Sequence, residues 1–457
     1  MLTDARSAAL HRTLWRWHFW AGLVVTPFLL ILSLTGAIYL FEREIDDALY
    51  SQLRLVAPVA RPVAASAMIR AALAAEGGAA SRIDMPATPD RAAVVHVTPA
   101  AGPTLQVHVD PGSGRVLGSI DPEATLVGWA NTMHGSLLLG DWGDRIVELA
   151  ACWTLVLVGT GLFLWWPRGG AGGAGVWWPR LRGRGRRSWR DLHGPVGLWT
   201  AGLIAFLVVT GLPWAGVQGD VLQRFGAATG IGYPATFRNN NAPASRLQAA
   251  PADGPWTLEA APLPQSAEGA EHAGHGGRAP AGTGDAAAIA GVDPVVAQLA
   301  RRGFDEGYRL FLPGGPSGVY IASAYPDRPE GQRTLYFDRY TLAPIGAGVG
   351  YADYGWMGRA IELGVQIHMG NYFGRANQLL MLLPCIAIWV LTVSGVTMWW
   401  KRRPQGGIGT PRAIPGARMR GVAAVLAVAG LAMPLFGASL LVLLLADRAL
   451  ALARRVG

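Results

Sequence analysis

The sequence predicts a mainly α-helical membrane protein: a duplicated bundle of transmembrane helix pairs, with about five spans and two small α+β modules outside the membrane. Of its 457 residues, 51% are hydrophobic and only 15% are charged. The apolar residues come in blocks at or above the roughly 20 residues that span a bilayer as a helix. Four histidines recur with matched spacings, which indicates an internal duplication. This composition and these long apolar runs exclude an ordinary soluble domain.

Uninterrupted apolar runs predict the spans, and the segments between them complete the organisation. The runs lie near 17–41, 146–166, 194–217, 377–400 and 421–446. The predicted segments are the N-terminus with the first helix (1–41), outer module 1 (42–133), a histidine segment with the second helix (134–166), a basic loop (167–191), the third helix (192–217), outer module 2 (218–367) with a linker near 240–290, a histidine segment with the fourth helix (368–400), a basic loop (401–420), the fifth helix (421–446) and a tail (447–457). The first run is too long for a signal peptide and no small-residue cleavage site follows it, so we expect it to remain as an anchor.

Basic residues set the predicted orientation, because the cytoplasmic loops of membrane proteins are enriched in Lys and Arg. Residues 1–16 hold 3 of them, 167–191 hold 7 and 401–420 hold 6, against two acids in these segments together. We expect these segments to face the cytoplasm of a bacterium, and the more acidic segments 42–133 and 218–376 to face the periplasm. The basic tail fits less well, because five spans would put it outside. The net charge of +9 is therefore mainly a topology signal, and nucleic-acid binding is a poor explanation for it.

Each outer module is predicted to be a helix followed by short strands. Module 1 has a helix at Ala64–Glu76 and strands near Arg82–Met85, Ala93–Thr98, Thr104–Val109 and Arg115–Gly118, and module 2 has a helix at Val292–Arg302 and strands at Gly318–Ala324 and Thr334–Asp338. The Ala-, Gly- and Pro-rich stretch near 240–290 is predicted to be a mobile linker, and we expect its His272 and His275 to be solvated. His96 and His108 lie in predicted strands, and we expect no redox role for them.

The four histidines open long apolar stretches that each close on a Thr-Gly or Ser-Gly step. His18 precedes Gly22 and Gly36 by 4 and 18 residues, and His193 precedes Gly197 and Gly211 by the same steps. His134 precedes Gly161 by 27 residues, and His368 precedes Gly395 by 27. A histidine at the end of a membrane helix needs a partner or a ligand, so four in matched positions predict a functional site.

The predicted topology sorts these histidines into two pairs. His18 and His193 begin helices that run outward, so both belong at the cytoplasmic face. His134 and His368 precede helices that run inward, so both belong at the outer face. Two neutral imidazoles from different helices, in an apolar slot, are the axial ligands that a b-type haem requires. The sequence thus predicts two haem b groups, an inner and an outer one, that together would conduct electrons across the membrane, with no catalytic residue beyond the ligands.

Helical phasing adds glycines to both predicted haem sites. A helix of 18 residues makes five turns and rises about 27 Å, so a glycine 18 residues after an inner histidine reaches the level of the outer pair. A missing side chain would let a flat macrocycle approach the backbone. The glycines predicted to pack on the haems are Gly22, Gly36, Gly161, Gly197, Gly211 and Gly395. Small-residue contacts between helices remain the alternative for them.

Two further features concern the outer pair and the haem edges. His134 lies about 12 residues before the apolar core of its helix, so a break at Gly140 and Gly143 is expected to fold a short interfacial helix back to the membrane. Gly370 and Gly374 are expected to do the same for His368. The arginines close to the ligands are Arg16, Arg145, Arg190 and Arg375. They are predicted to pair with haem propionates or, equally, to lie at the membrane interface.

These residues carry a resemblance to a known family. The motifs are Trp17-His18 with Gly22 and Thr35-Gly36, Met133-His134-Gly135, Leu192-His193-Gly194 with Gly197, Ile367-His368-Met369-Gly370, and the Trp-Trp-Pro-Arg and Trp-Trp-Lys-Arg ends of two helices. With the two helix-plus-hairpin modules, the chain resembles the PepSY-associated transmembrane family over about residues 1–446.

The resemblance implies an inner-membrane ferric-siderophore reductase of iron uptake. Two b haems would be held by histidines at the two faces of the membrane, with PepSY modules in the periplasm. The protein would reduce an imported Fe(III)-siderophore, or another ferric chelate, so that iron leaves as the weakly held Fe(II). Some relatives carry a fused cytoplasmic flavin reductase domain. This chain ends soon after the predicted fifth helix, so we expect a separate cytoplasmic electron donor or a quinol.

Two other functions remain open from the sequence. One is a haem-free membrane module that binds or regulates a periplasmic partner, with the histidines serving packing and hydrogen bonding. The other is a transporter, because internal repeats and glycines within the membrane also fit alternating access. Apart from Glu148, near the outer end of the second helix, no charged residue lies deep in a predicted span. This lack of charged residues argues against transport.

Overall fold

The computed structural model describes residues 2–167, 176–180, 185–232, 255–258, 264, 266, 285–404, 409 and 420–456. The chain divides into two compact units. The helical unit comprises Met1–Leu40, Ala130–Leu222 and His368–Gly457, and the sheet unit comprises Phe41–Trp129 and Gln223–Ile367. His272 and His275 of the predicted linker lie outside the described residues.

Helices and strands follow each other along the described residues. The helices are α1 (Leu2–Leu40), α2 (Glu42–Leu49), α3 (Ser51–Arg54), α4 (Ala65–Glu76), α5 (Leu126–Ser136), α6 (Gly140–Trp165), α7 (Arg186–Gly211), α8 (Gly216–Thr229), α9 (Ala286–Ala290), α10 (Val292–Ala300), α11 (Trp356–His368), α12 (Arg375–Trp400), α13 (Arg420–Ala432) and α14 (Pro434–Val456). The strands are β1 (Ala79–Asp84), β2 (Ala93–Thr98), β3 (Leu105–Val109), β4 (Val116–Ile120), β5 (Tyr308–Phe311), β6 (Val319–Ala324), β7 (Arg333–Asp338) and β8 (Val349–Gly350).

Four helices of the helical unit, among the residues that the structure describes, are long and apolar enough to cross a membrane. They run Ala8–Leu40, Gly140–Trp165, Arg186–Trp214 and Arg375–Trp400. The first four predicted spans are therefore confirmed. Large apolar side chains on these helices are exposed, among them Val24, Leu34, Leu383 and Ile386. Exposed apolar side chains suit lipid, and the protein is a multi-pass membrane protein.

The fifth predicted span, 421–446, is wrong. The segment forms two helices, α13 and α14, which meet at Met433 and pack against each other. Pro434 begins α14 and has no backbone N–H with which to continue a helix. A Cβ built on Gly430 would lie 3.0 Å from the Cα of Gly437, so only small residues allow the chain to turn this sharply. The apolar run is long enough for a span, but its backbone chemistry makes it a helical hairpin.

The turn of this hairpin packs against α6 and the end of α7. Phe436 is fully buried beside Cys152 and Leu212. The indole Nε1 of Trp153 donates a hydrogen bond to Oγ of Ser439 at 3.2 Å. A hairpin returns the chain to the side from which it entered, so the basic tail no longer conflicts with the orientation that the arginines predict.

The sheet unit holds one antiparallel eight-stranded sheet rather than two separate modules. Its strand order is β4-β3-β2-β1-β5-β6-β7-β8. The two halves join where β1 pairs with β5, with Ile83 opposite Leu310. This pairing removes an exposed edge from each half, which explains why the modules merge. The sequence prediction missed β5 and β8, whereas the other predicted strands and the two predicted helices are confirmed.

One face of the sheet is apolar and packs against α4 and α10. Residues that alternate along the strands form this core, as the period of two in a strand requires. The fully buried members include Met68, Ile69, Ile83, Leu299, Leu310 and Phe337.

Part of the predicted linker is packed. Trp256 and Leu258 are each 2% exposed in a short 3-10 turn. The backbone N and Oγ1 of Thr257 both donate to Oε1 of Glu362 at 3.0 Å. Helix α9 also begins inside the predicted linker range, at Ala286. The high Ala, Gly and Pro content of this stretch predicted a linker, so the few apolar residues that pack were missed.

The opposite face of the sheet carries a buried charged cluster. Nε of Arg82 lies 2.6 Å from Oδ1 of Asp84, and its Nη2 lies 2.8 Å from Nε2 of His96. His108 is 3% exposed, and its Nδ1 has no hydrogen-bond partner within the described part of the chain. Burial, followed by the nearby Arg54 and His96, lowers the pKa of His108 to about 4. This imidazole is therefore neutral at pH 7.

The depressed pKa of His108 predicts acid sensitivity of the sheet unit. An unfolded histidine has a pKa near 6.5, so the folded state is at full stability above that value and loses it as the pH falls towards 4. Protonation of His108 at low pH would reduce the free energy of unfolding by about 3 kcal/mol. We expect hydrogen exchange of the β2 and β3 amides, corrected for the intrinsic rate, to accelerate between pH 6.5 and 4.5.

The duplication supplies the matched variant for this measurement. Tyr336 stands two residues before Asp338 as His108 stands two before Asp110, and each aspartate opens a turn. We expect His108→Tyr to remove most of the acid-dependent exchange in the full-length protein. Equal acid sensitivity in the variant and the parent would contradict the assignment.

The hairpin predicts the sidedness of the tail. A cysteine introduced by Val456→Cys should react with a membrane-impermeant thiol reagent from the same side as Trp178→Cys, in the loop between α6 and α7. It should react from the side opposite to Ser113→Cys, in the turn between β3 and β4. The native Cys152 and Cys385 are buried and provide a silent background. Labelling of Val456→Cys from the side of Ser113→Cys would instead restore a fifth span.

Candidate functional site

All four predicted ligand histidines lie in the helical unit. His18 on α1 and His193 on α7 have ring centroids 6.4 Å apart, with nearly perpendicular planes. His134 lies near the end of α5, and His368 is the last residue of α11. Burial lowers the pKa of His134, and burial followed by the charge of the neighbouring His134 lowers the pKa of His368 to about 3. The histidines thus meet as two pairs, and their role as haem ligands stays a prediction.

A sharp break separates each outer histidine from the span that follows it. In the first copy, Leu137 and Leu138 have φ angles of 52° and 58°. This left-handed conformation costs about 1–2 kcal/mol for a residue with a Cβ. In the second copy, Gly370 and Gly374 turn the chain with φ angles of 82° and 61°. The break at Gly370 and Gly374 is confirmed, whereas the first break lies at Leu137–Gly140 and Gly143 is inside α6. The strained leucines are typical of a functional site.

Each imidazole Nδ1 lies within hydrogen-bond distance of a hydroxyl on another helix. The contacts are His18 with Thr160 at 3.0 Å, His134 with Thr35 at 3.0 Å, His193 with Ser394 at 2.9 Å and His368 with Thr210 at 2.8 Å. These hydroxyls belong to the Thr-Gly and Ser-Gly steps that close the four apolar stretches. Sequence reasoning missed their role, although a hydroxyl residue before every one of these glycines was the available signal.

The hydroxyl protons are already committed, which fixes the tautomer of the histidines. Each hydroxyl donates to the carbonyl four residues earlier in its own helix: Thr160 to Val156 at 2.6 Å, Thr35 to Ile31 at 2.8 Å, Ser394 to Val390 at 2.6 Å and Thr210 to Phe206 at 2.7 Å. A hydroxyl has one proton, so its oxygen must accept the second bond from the Nδ1–H of the imidazole. Each Nε2 is then left with a lone pair, which is the form in which imidazole binds a metal.

The glycine after each hydroxyl residue makes room for the imidazole ring. A Cβ built on Gly36 would lie 3.2 Å from Cε1 of His134, and one on Gly161 would lie 3.2 Å from Cε1 of His18. The same distance is 3.5 Å from Gly211 to His368 and 3.5 Å from Gly395 to His193. Gly36 and Gly211 therefore lie beside the outer histidines, and Gly161 and Gly395 lie beside the inner ones, as the helical phasing predicts. Its neighbour is a histidine ring, and packing against a haem face stays a prediction.

The other two predicted glycines contact leucines. A Cβ on Gly22 would lie 3.8 Å from Cδ2 of Leu157, and one on Gly197 would lie 3.5 Å from Cδ2 of Leu391. These are ordinary van der Waals distances between adjacent helices. They agree with the alternative that small residues let the helices approach.

Three of the four candidate arginines bond to neighbouring side chains. The partners are Asp191 for Arg190 at 2.8 Å, Asp144 for Arg145, and Gln378 for Arg375 at 3.0 Å. Arg16 is partly exposed on α1, two residues before His18. Contacts of these arginines with haem propionates stay a prediction.

Glu148, the charged residue within a predicted span, caps a helix. Its side chain is almost fully buried, and Oε2 accepts hydrogen bonds from the backbone N–H groups of Val217 at 2.9 Å and Gln218 at 3.3 Å. Asp144 accepts from the N–H of Gly216 at 3.0 Å. Carboxylates stabilise the positive end of a helix dipole, here the start of α8. Because Glu148 has this structural role, it does not support a transport pathway.

The inner histidine pair has the spacing that two axial ligands of one iron need. Metal–imidazole bonds are about 2 Å long, so a metal between two Nε2 atoms places the ring centroids about 6 Å apart. The 6.4 Å between His18 and His193 fits this spacing. Within the described ranges, no group of three or more His, Cys, Asp or Glu residues is arranged to hold a bare metal ion. Two opposed imidazoles suit a haem, because the porphyrin supplies the remaining iron ligands.

Comparison with known protein families adds one finding. A family model described as the PepSY-associated TM region matches residues 15–402. The match contains all four histidines and extends from α1 to just beyond α12. No curated protein matches the chain.

The contact between Gly161 and His18 predicts a specific effect of one methyl group. In Gly161→Ala the new Cβ would lie 3.2 Å from Cε1 of His18, so the ring must shift by a few tenths of an ångström away from Thr160. We expect the Nδ1–H signal of His18 to move and exchange faster in spectra of ¹⁵N-histidine-labelled protein. Gly159→Ala is the control on the same helix, because nothing lies within 4 Å of its built Cβ. Unchanged His18 signals in Gly161→Ala would contradict the contact.

Proposed function

Because the chain belongs to the PepSY-associated TM region family, we propose that it is a membrane oxidoreductase that carries electrons across a bacterial inner membrane on two b-type haems. Its acceptor would be an Fe(III)-siderophore or another ferric chelate on the outer side. Each Fe(III) takes up one electron and becomes Fe(II), which the chelate holds more weakly. The electron would come from a separate cytoplasmic donor or from a quinol.

The shared tautomer of the four histidines supports this proposal most directly. Each Nδ1–H is bonded to a hydroxyl, and each Nε2 keeps a lone pair. A histidine that serves only packing is free to use either nitrogen as donor or acceptor. The same tautomer in all four histidines, which form two pairs, fits two haems that each take two imidazole ligands.

The chain's own part in the reaction is to hold neutral, oriented imidazoles in an apolar bundle. A bound b-type haem supplies reversible one-electron chemistry at its iron. His18 and His193 would hold the inner haem, and His134 and His368 the outer one. The hydroxyl at each Nδ1 keeps the ring from rotating and keeps Nε2 unprotonated.

The separation of the two pairs supports electron transfer across the membrane. His18 and Thr35, the partner of His134, are 17 residues apart on α1. That distance along a helix is about 26 Å, close to the roughly 30 Å of a bilayer's apolar core. One pair therefore serves each half of the membrane. The basic segments between the spans assign the inner pair to the cytoplasmic side.

Haem content is the first test of this function. We expect the purified full-length protein to show reduced-minus-oxidised bands of b-type haem and two haems per chain. His18→Ala should lose the inner haem and His134→Ala the outer one, leaving one haem in each variant. His11→Ala, also on α1, should keep both. Absence of haem bands in the parent protein would refute the function, and loss of both haems or of neither in the ligand variants would refute the pairing.

Electron transfer to iron is the second part of the same test. The dithionite-reduced protein should be reoxidised under anaerobic conditions by a panel of Fe(III) chelates, with Fe(II) trapped by a colorimetric chelator. His134→Ala should reoxidise far more slowly than His11→Ala, because the electron must leave through the outer site. Equal rates in the two variants would exclude the outer pair as the exit.

A further inference from the structure

We propose that the hydroxyls of Thr35, Thr160, Thr210 and Ser394 are positioning residues that set the reduction potentials of the two haems. Each would act through the histidine whose Nδ1–H it accepts. Thr35 and Thr210 would tune the outer haem, and Thr160 and Ser394 the inner haem. The inference rests on the proposed function, because it needs haems on the four histidines.

The contacts assign the hydroxyls of α1 and α7 to the histidine pair to which their own helix does not contribute. α1 carries His18 of the inner pair, yet its Thr35 bonds to His134 of the outer pair at 3.0 Å. α7 carries His193 of the inner pair, and its Thr210 bonds to His368 at 2.8 Å. A potential set by these hydroxyls therefore belongs to the haem that the same helix does not ligate.

The chemistry follows from the direction of the hydrogen bond. An acceptor at Nδ1–H draws the proton away from the ring and makes Nε2 a stronger electron donor. A stronger donor stabilises Fe(III) relative to Fe(II), so the hydroxyl lowers the reduction potential. A carboxylate at the same place would lower it further, because a charged acceptor bonds more strongly. A neutral hydroxyl therefore keeps the potential above the value that a carboxylate would impose.

Burial makes three of the four hydroxyls the relevant acceptors, and Thr210 is partly exposed. Thr35 and Ser394 are fully buried, and Thr160 is 7% exposed, so water does not replace them. Each hydroxyl proton is held by a carbonyl of its own helix, which fixes the oxygen as an acceptor. Loss of the hydroxyl would remove the closer of two acceptors: Nδ1 of His193 lies 2.9 Å from Oγ of Ser394 and 3.1 Å from the carbonyl oxygen of Leu391, which would remain.

Redox titration of the full-length, haem-loaded protein tests the proposal. Valine has the shape of threonine without the hydroxyl, and serine keeps the hydroxyl. We expect Thr35→Val to raise the midpoint of the outer haem alone, and Thr160→Val to raise that of the inner haem alone. Thr35→Ser should stay close to the parent. The haem that shifts is identified by its absence in His134→Ala or in His18→Ala.

Thr154→Val is the matched control on the helix of Thr160. Its hydroxyl also donates to the carbonyl four residues earlier, that of Ala150 at 2.7 Å, so both variants lose the same helix bond. We expect no shift of either midpoint in this control. A shift equal to that of Thr160→Val would overturn the proposal, since it would then report a general helix effect.

The remaining outcomes are also decisive. Unchanged midpoints in Thr35→Val and Thr160→Val, or a shift of the inner haem in Thr35→Val or of the outer haem in Thr160→Val, would overturn the proposal while the two-haem function stands. If Thr35→Val loses the outer haem, retention in Thr35→Ser supports the hydroxyl, and loss in both variants overturns it. A parent protein without haem would instead end the proposed function.

Discussion

The hydrogen bond from each histidine Nδ1 to a hydroxyl on a neighbouring helix is the interaction on which the helical unit depends. An imidazole inside an apolar bundle must satisfy its N–H, because an unpaired buried donor costs about 1–3 kcal/mol. Most backbone carbonyls of a membrane helix are already paired within the helix, although the carbonyl oxygen of Leu391 also lies 3.1 Å from Nδ1 of His193. A Thr or Ser hydroxyl solves this problem, since it bonds to its own helix and still presents an oxygen lone pair. The same bond satisfies the buried N–H of each of the four imidazoles and gives each a defined tautomer.

The hydroxyl and the glycine after it act as one local device. A hydrogen bond of 2.8–3.0 Å brings the imidazole close to the partner helix. Its Cε1 then packs against the residue that follows the Thr or Ser. At Gly36 and Gly161 a Cβ would lie only 3.2 Å from that carbon. The Thr-Gly or Ser-Gly step therefore recurs because the acceptor and the space for the ring are needed together. A glycine placed one turn away would leave the ring in collision with a side chain.

The sequence was sufficient for features that local chemistry determines. Apolar lengths predicted the four confirmed spans together with a fifth that is wrong, alternation predicted strands such as Ala93–Thr98, and matched spacing with the basic loops predicted the histidine pairs. It was insufficient where a contact joins distant segments: the pairing of β1 with the four-residue β5 and the hydroxyl partners of the histidines depend on tertiary packing. The hairpin was missed for another reason. Hydrophobicity shows that a segment prefers the membrane interior, but it does not show the path of the backbone. Here Pro434 and the close approach of Gly430 to Gly437 determine that the backbone turns.

The duplication divides the site in a particular way. Both hydrogen bonds of the first repeat stay inside it, from His18 to Thr160 and from His134 to Thr35, and those of the second repeat do the same. The histidine pairs, by contrast, take one ring from each repeat. One repeat thus orients two rings on its own but completes no pair, and two repeats facing each other complete both pairs at once. This is the logic of a two-fold symmetric interface, in which each contact is made twice. Two histidine pairs at opposite ends of the bundle therefore follow from one folded repeat used twice.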